Sequence, residues 1–147
     1  MSHGLLLDTH VWLWYAIPSP RLKQPAREAI DNAVNQRRGV YVSAMSIWEI
    51  SLLESKGQLR LGSRVEHWVE QALALPGLHV MPLEVGVILD AHRLPGHFHA
   101  DPADRLIVAT ARHHGLALIT EDRKILDYAR QGHLCAHTTA DKELSRP

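Results

Sequence analysis

Hydrophobic and polar positions in this chain recur at two periods, and the switches between them outline a series of elements. Residues 4–8 (GLLLD) are apolar without alternation, the pattern of a strand covered on both faces. The Trp-rich residues 11–17 follow as a short helix. Ser19-Pro20 then predicts a helix start, with Ser as N-cap and Pro at the first position, running to about Gln36 and ended by Arg38-Gly39. Residues 39–43 (GVYVS) read as a second strand, and Ser43 caps a helix over residues 44–56 that Gly57 closes. A helix over 63–75 stops at Pro76-Gly77, a strand occupies 78–81, and a helix over 84–94 stops at Pro95-Gly96. After a loop over 95–100, Asp101-Pro102 opens a helix that reaches His114, with Gly115 at its C-cap. Residues 116–120 (LALIT) form a strand, 123–130 a helix ending at Gly132, and 134–137 a last short strand. The polar, unpatterned residues from Thr138 onward predict a frayed tail.

Strands separated by helices imply an α/β fold, with a small, mainly parallel sheet and helices on both faces. No repeat or linker interrupts the pattern, so residues 1–137 read as one domain and 138–147 as its tail. Such sheets bind ligands beyond the carboxyl ends of their strands, where strand order reverses.

That edge is where the acids fall. Asp8 follows the first strand directly, and Asp122 lies two residues beyond the strand at 116–120. Each alone is equally well a turn or helix-cap residue. Glu49 lies in an apolar helix (AMSIWEIS), where an unpaired carboxylate is costly. Asp101 suits an N-cap and Asp104 the N3 position of its helix, which would carry both to the same edge. Clustered like charges need a cation to stay ionised, and an all-oxygen set without a cysteine pair suits Mg²⁺ or Mn²⁺.

Composition narrows the remainder. The 147 residues are 46% hydrophobic and 22% charged, which fits one folded domain and excludes disorder as the main state. No apolar run is long enough to cross a membrane, and Met1-Ser2-His3-Gly4 lacks the charged-then-apolar pattern of a signal peptide. Cys135 is the only cysteine, so no internal disulfide exists; a reducing cytoplasm is the expected compartment. Sixteen Lys and Arg balance sixteen Asp and Glu, and this zero at first speaks against a nucleic-acid partner. Removing Asp8, Glu49, Asp101, Asp104 and Asp122 leaves eleven acids against sixteen bases, a formal +5. An acidic pocket in a mildly basic body is compatible with a nucleic acid bound modestly and salt-sensitively.

Four segments in order, LLLDTHVWLW at 5–14, VSAMSIWEIS at 42–51, DPADRLIVATA at 101–111 and ALITEDRKI at 117–125, resemble the PIN-domain ribonucleases, in particular the VapC-type toxins of bacterial toxin–antitoxin pairs. The resemblance covers about residues 5–134. It implies an α/β/α sandwich and divalent-metal-dependent cleavage of RNA, with Asp8, Glu49, Asp104 and Asp122 as the acidic quartet and Asp101 beside it. One or two Mg²⁺ or Mn²⁺ ions would be held by Asp8, Asp104 and Asp122, with Glu49 orienting or deprotonating the attacking water. It further implies a homodimer held inactive by a small antitoxin. Many relatives carry Asn where this chain has His10. Thr9, His10, Thr120 and Arg105 are accessory candidates, and Arg112, Arg123 and Lys124 are RNA-binding candidates. The crowded apolar surface of Trp12 and Trp14 suggests a groove for the antitoxin. A haloacid-dehalogenase-like phosphatase would need an acid where His10 stands, and a response-regulator receiver would need an acidic pair at the first strand. An RNA-processing nuclease outside a toxin–antitoxin pair, and a PIN-shaped scaffold that binds without cutting, remain open.

Overall fold

A computed structural model describes residues 4–146. Five strands form one wholly parallel sheet among the described residues: β1 (Leu5–Leu7), β2 (Val40–Ser43), β3 (Leu78–Met81), β4 (Ala117–Ile119) and β5 (Ala136–His137), in the order β3-β2-β1-β4-β5. The chain steps outward from β1 to β2 and β3, then returns to the other side of β1 with β4. Strand order therefore reverses between β1 and β4.

The apolar run LLL fits that central place. Leu5 and Leu7 join a core shared with α1 (Thr9–Ala16), α2 (Gln24–Asn35), α3 (Ala44–Ser55) and α4 (Val65–Leu73). Leu6 points the other way, into a second core with α5 (Val85–His92), α6 (Pro102–His114) and α7 (Arg123–Arg130). Alternate side chains of one strand thus fill both helical layers.

Local capping accounts for most boundaries. Ser43 accepts the Met45 N–H at 3.0 Å and starts α3, an interaction worth about 1 kcal/mol. Asp101 accepts the Asp104 N–H at 2.9 Å at the head of α6. Gly115 ends α6 with φ 64°, a left-handed conformation that other residues enter at a cost.

Three expectations are corrected. Ser19-Pro20 does not begin α2: Ser19 instead holds a turn by accepting the Arg21 and Leu22 N–H groups, and the helix starts at Gln24 with Pro25 in its first turn. The helix expected at residue 11 begins at Thr9, because Asp8 accepts the Thr9 N–H. The tail is not frayed. Thr139 is fully buried, its carbonyl accepts the Ala26 N–H at 3.1 Å, and its own N–H donates to Glu121 at 2.7 Å. Lys142–Ser145 then form a 3₁₀ turn whose Leu144 packs on the first core.

Candidate functional site

Asp8 leaves β1 at the point of strand reversal, almost completely buried. One carboxylate oxygen accepts the Thr9 N–H at 2.8 Å, the other the Thr120 hydroxyl at 2.6 Å. The Thr120 oxygen in turn accepts the Asp122 N–H at 2.9 Å, and Asp122 caps α7 by accepting the Ile125 N–H at 3.0 Å. A single fully buried hydroxyl therefore ties the acid of β1 to the loop that carries the acid after β4. Glu121, the neighbouring acid, turns to the tail instead.

Glu49 reaches the same edge from α3. One of its oxygens accepts the Thr9 hydroxyl at 2.6 Å, and that hydroxyl lies 2.8 Å from Ser46. Ser46 was not among the sequence candidates. Its signal was the three-residue spacing to Glu49, which places both on one helix face. Asp104 sits in the first turn of α6, where His99 Nε2 lies 3.0 Å from its carboxylate. His99 belongs to the loop before Asp101. Its partner in that loop, Phe98, is buried against Tyr128 and offers no open ring face to a base.

The acids crowd one another electrostatically. Burial first, then Asp122, Asp101, Asp8 and Glu49, push Asp104 up to about 7. Burial is also the largest cause of the raised Asp8 and Glu49, partly opposed by the Thr120 and Thr9 hydrogen bonds and by nearby His10. His10 is exposed and stacks on Trp14 with ring centroids 6.2 Å apart. Ionised together, these carboxylates call for a cation, and their all-oxygen chemistry fits Mg²⁺ or Mn²⁺. Among the described residues no group of three or more His, Cys, Asp or Glu side chains is placed to hold a metal ion.

The basic candidates divide. Arg123 and Lys124 are exposed in the first turn of α7, next to Asp122. Arg105, expected beside the acids, turns back: its guanidinium donates to the carbonyls of Ala91 at 2.8 Å, Phe98 at 2.9 Å and His99 at 3.1 Å. It pins the loop that positions His99. Arg112 lies eight residues beyond Asp104, about 12 Å down the helix axis, and donates to the His133 carbonyl at the opposite edge of the sheet. The groove expected at Trp12 and Trp14 is corrected too. Trp12 is fully buried against Trp68 and Trp14 is half-buried, whereas Trp48, Val85, Ile88 and Leu89 stand exposed.

Residues 5–131 match the PIN domain family. The chain is 36% identical over 123 residues to Ribonuclease VapC22 of Mycobacterium tuberculosis, covering 82% of this chain and 88% of that protein. Among solved structures, DNA-bound VapBC from Salmonella typhimurium superposes with a TM-score of 0.67 at 16% identity, over 95% of this chain and 100% of that one. VapBC2 from Rickettsia felis, bound to a DNA fragment from its promoter, gives 0.63 at 13% identity over 92% and 98%. FitAcB from Neisseria gonorrhoeae gives 0.60 at 22% identity over 92% and 97%. At these identities the structural likeness concerns the fold.

Proposed function

Because this chain belongs to the PIN domain family, we propose that it is a divalent-metal-dependent ribonuclease, the toxin of a toxin–antitoxin pair, acting in the cytoplasm and restrained by a cognate antitoxin. The reading is supported by one observation: in a chain 36% identical to a ribonuclease, Asp8 leaves the sheet at its reversal point and Asp122, Asp8 and Glu49 lie near enough to Asp104 to raise its proton affinity.

Asp8, Asp104 and Asp122 would hold Mg²⁺ or Mn²⁺. Once bound, the ion supplies Lewis acidity toward the phosphodiester and neutralises charge at phosphorus in the transition state. The Thr120 hydroxyl fixes one Asp8 oxygen in place, so that the carboxylate need not reorganise. Thr9 likewise fixes one oxygen of Glu49 and leaves the other to take the proton of the attacking water. The raised proton affinity of Glu49 suits a general base. In-line attack then leaves a 5′-phosphate and a 3′-hydroxyl. Arg123 and Lys124 face the phosphate backbone beside Asp122, and His10 lies over the same edge. Asp101 orients the start of α6 through its cap.

Partner surface is supplied by Trp48 on α3 and by Val85, Ile88 and Leu89 on α5. Val85, Ile88 and Leu89 share one face of α5, and exposed apolar residues of this kind mark protein contacts, here the second copy of a homodimer and the antitoxin. No helix among the described residues is long and apolar enough to cross a membrane.

The test is cleavage of a mixed RNA pool by the natural chain and by Asp8→Asn, each with Mg²⁺, with Mn²⁺ and with EDTA. Cleavage by the natural chain should disappear in EDTA and fall at least about 100-fold in the variant. Undiminished activity in Asp8→Asn overturns the site. A folded natural chain that binds RNA and never cuts it returns the scaffold reading.

A further inference from the structure

The head of α6 departs from the arrangement its acids suggest. Asp101 and Asp104 stand at the N-cap and N3 positions, where a capping box would return the Asp104 side chain to the Asp101 N–H. That N–H donates instead to His99 Nδ1 at 3.4 Å. The imidazole is thus inserted between the two acids, with Nε2 3.0 Å from Asp104 Oδ2. Because Nδ1 accepts, it carries no proton of its own; the ring is neutral and its proton sits on Nε2. Nε2 is shut off from water and makes no straight hydrogen bond, which leaves its N–H to the Asp104 carboxylate. A buried N–H without an acceptor is costly, and a small turn of that carboxylate satisfies it. The ring is held from behind. Phe98, with ring centroids 4.5 Å from His99, packs on Tyr128, and the Arg105 guanidinium takes the carbonyls of both Phe98 and His99. The arginine that follows Asp104 in sequence therefore ties the loop back onto Asp104.

We propose that His99 is a positioning residue for Asp104: its Nε2–H engages Oδ2 and leaves one carboxylate oxygen for the divalent ion, so that the site takes Mg²⁺ or Mn²⁺ in preference to Ca²⁺. The inference rests on the metal-dependent reading given above. The other acids are held by donors of the same uncharged kind. Thr9 N–H and the Thr120 hydroxyl hold Asp8, the Thr9 hydroxyl holds Glu49, and the Ile125 N–H holds Asp122. His99 supplies for Asp104 what hydroxyls and amides supply elsewhere. A neutral donor fixes the direction of a carboxylate without neutralising the charge that attracts the ion. The choice of ion follows from how many oxygens each acid can give. Ca²⁺ takes about six to eight, often both from one carboxylate, whereas Mg²⁺ requires a near-ideal octahedron at short distance. Carboxylates that each have an oxygen already engaged suit the smaller ion. Both side chains of the pair are mostly buried, 23% and 22% exposed, so water competes little for the contact.

The experiment titrates the full chain with Mn²⁺ and with Ca²⁺ by calorimetry, without RNA, for the natural protein, His99→Gln and His99→Leu. Gln offers an amide N–H near the reach of Nε2, and Leu offers none. His99→Leu should weaken Mn²⁺ binding about tenfold or more and Ca²⁺ binding less, which narrows the preference between them. His99→Gln should stay within about threefold of the natural chain for both ions. RNA cleavage, measured alongside, should need a higher Mg²⁺ concentration for half its maximal rate in His99→Leu by about the same factor, with KM for RNA unchanged. A folded His99→Leu protein with natural Mn²⁺ affinity, or with both ions weakened equally, overturns this proposal and leaves the ribonuclease reading standing. So does a His99→Gln protein as impaired as His99→Leu, since the loss then belongs to the loop and not to the donor. A natural chain without affinity for Mn²⁺ overturns the proposal and the metal-dependent reading together. If His99→Leu does not fold, long-range proton–nitrogen spectra of the natural chain decide: the His99 proton should sit on Nε2 and its signal should move on adding Mg²⁺, and a proton on Nδ1 overturns the proposal.

Discussion

The two ends of one parallel sheet carry opposite chemistry. At the carboxyl ends of the strands stand Asp8, Glu49, Asp104 and Asp122, the first three raised by burial and then by neighbouring acids; at the amino ends stand Arg38, Arg112 and Arg146 around a thiol. The formal charge of the chain is zero, yet that zero is a difference between two faces separated by the length of the strands. A mean charge says little about binding when like charges are sorted by the polarity of the strands. The acidic end is also the more tightly built, since its groups hold one another through Thr9 and Thr120.

The strongest way to break that contrast is at Thr120. Thr120→Val removes a hydrogen bond to Asp8 and the acceptor of the Asp122 N–H together. It should lower RNA cleavage about 10- to 100-fold and cost about 1–3 kcal/mol in stability by urea unfolding. Unchanged cleavage with a lowered midpoint would make the hydroxyl purely structural.

A smaller effect should appear as a pH dependence confined to the acidic end. Folded Asp104 holds its proton up to about 7, whereas an unfolded Asp loses it near the ordinary value of 3.8. Between these limits the folded state binds more protons, so stability falls as pH rises from about 4 to about 7. Thermal unfolding in EDTA should show this decline. Asp104→Asn should flatten it, and Mg²⁺ should raise the melting temperature most at the upper end of the range. Melting temperatures that climb with pH in EDTA would contradict the crowding.

The smallest effect sharpens the division of the bases. Replacing Arg123 and Lys124 by Gln should weaken RNA cleavage severalfold at low salt and less at high salt. Arg112→Gln, at the other end of α6, should leave it within about twofold.

How much of this was readable depended on how local each signal was. Both ends of α6 were, because Asp101 and Pro102 at its head and Gly115 at its close act within their own turns. So was the central place of β1, since an apolar run without alternation has one reading when helices flank it. The start of α2 was not: Pro20 and Pro25 compete as first-turn residues, and only the Ser19 turn decides between them. The tail has no apolar period, and its order comes from Glu121 and α2, both far away in sequence. Arg105 stands one residue after Asp104, yet its guanidinium turns away to three carbonyls. Side-chain direction on a long residue is set by which acceptors lie within reach, which spacing does not reveal.

The register of β1 has a consequence for the order in which the molecule is made. Leu5, Leu6 and Leu7 are matched to Ala117, Leu118 and Ile119 of the neighbouring β4, and the Asp8 carboxylate waits for a hydroxyl 112 positions away. During synthesis β2 and β3 emerge long before β4, so one flank of the sheet is available while the acidic edge still lacks its second wall. A nascent chain therefore carries Asp8 and Glu49 before the loop of Asp122 exists. Under the proposed function, activity would begin as a late, all-at-once event in the chain's own translation, after most of the polypeptide has already been exposed to whatever is there to bind it.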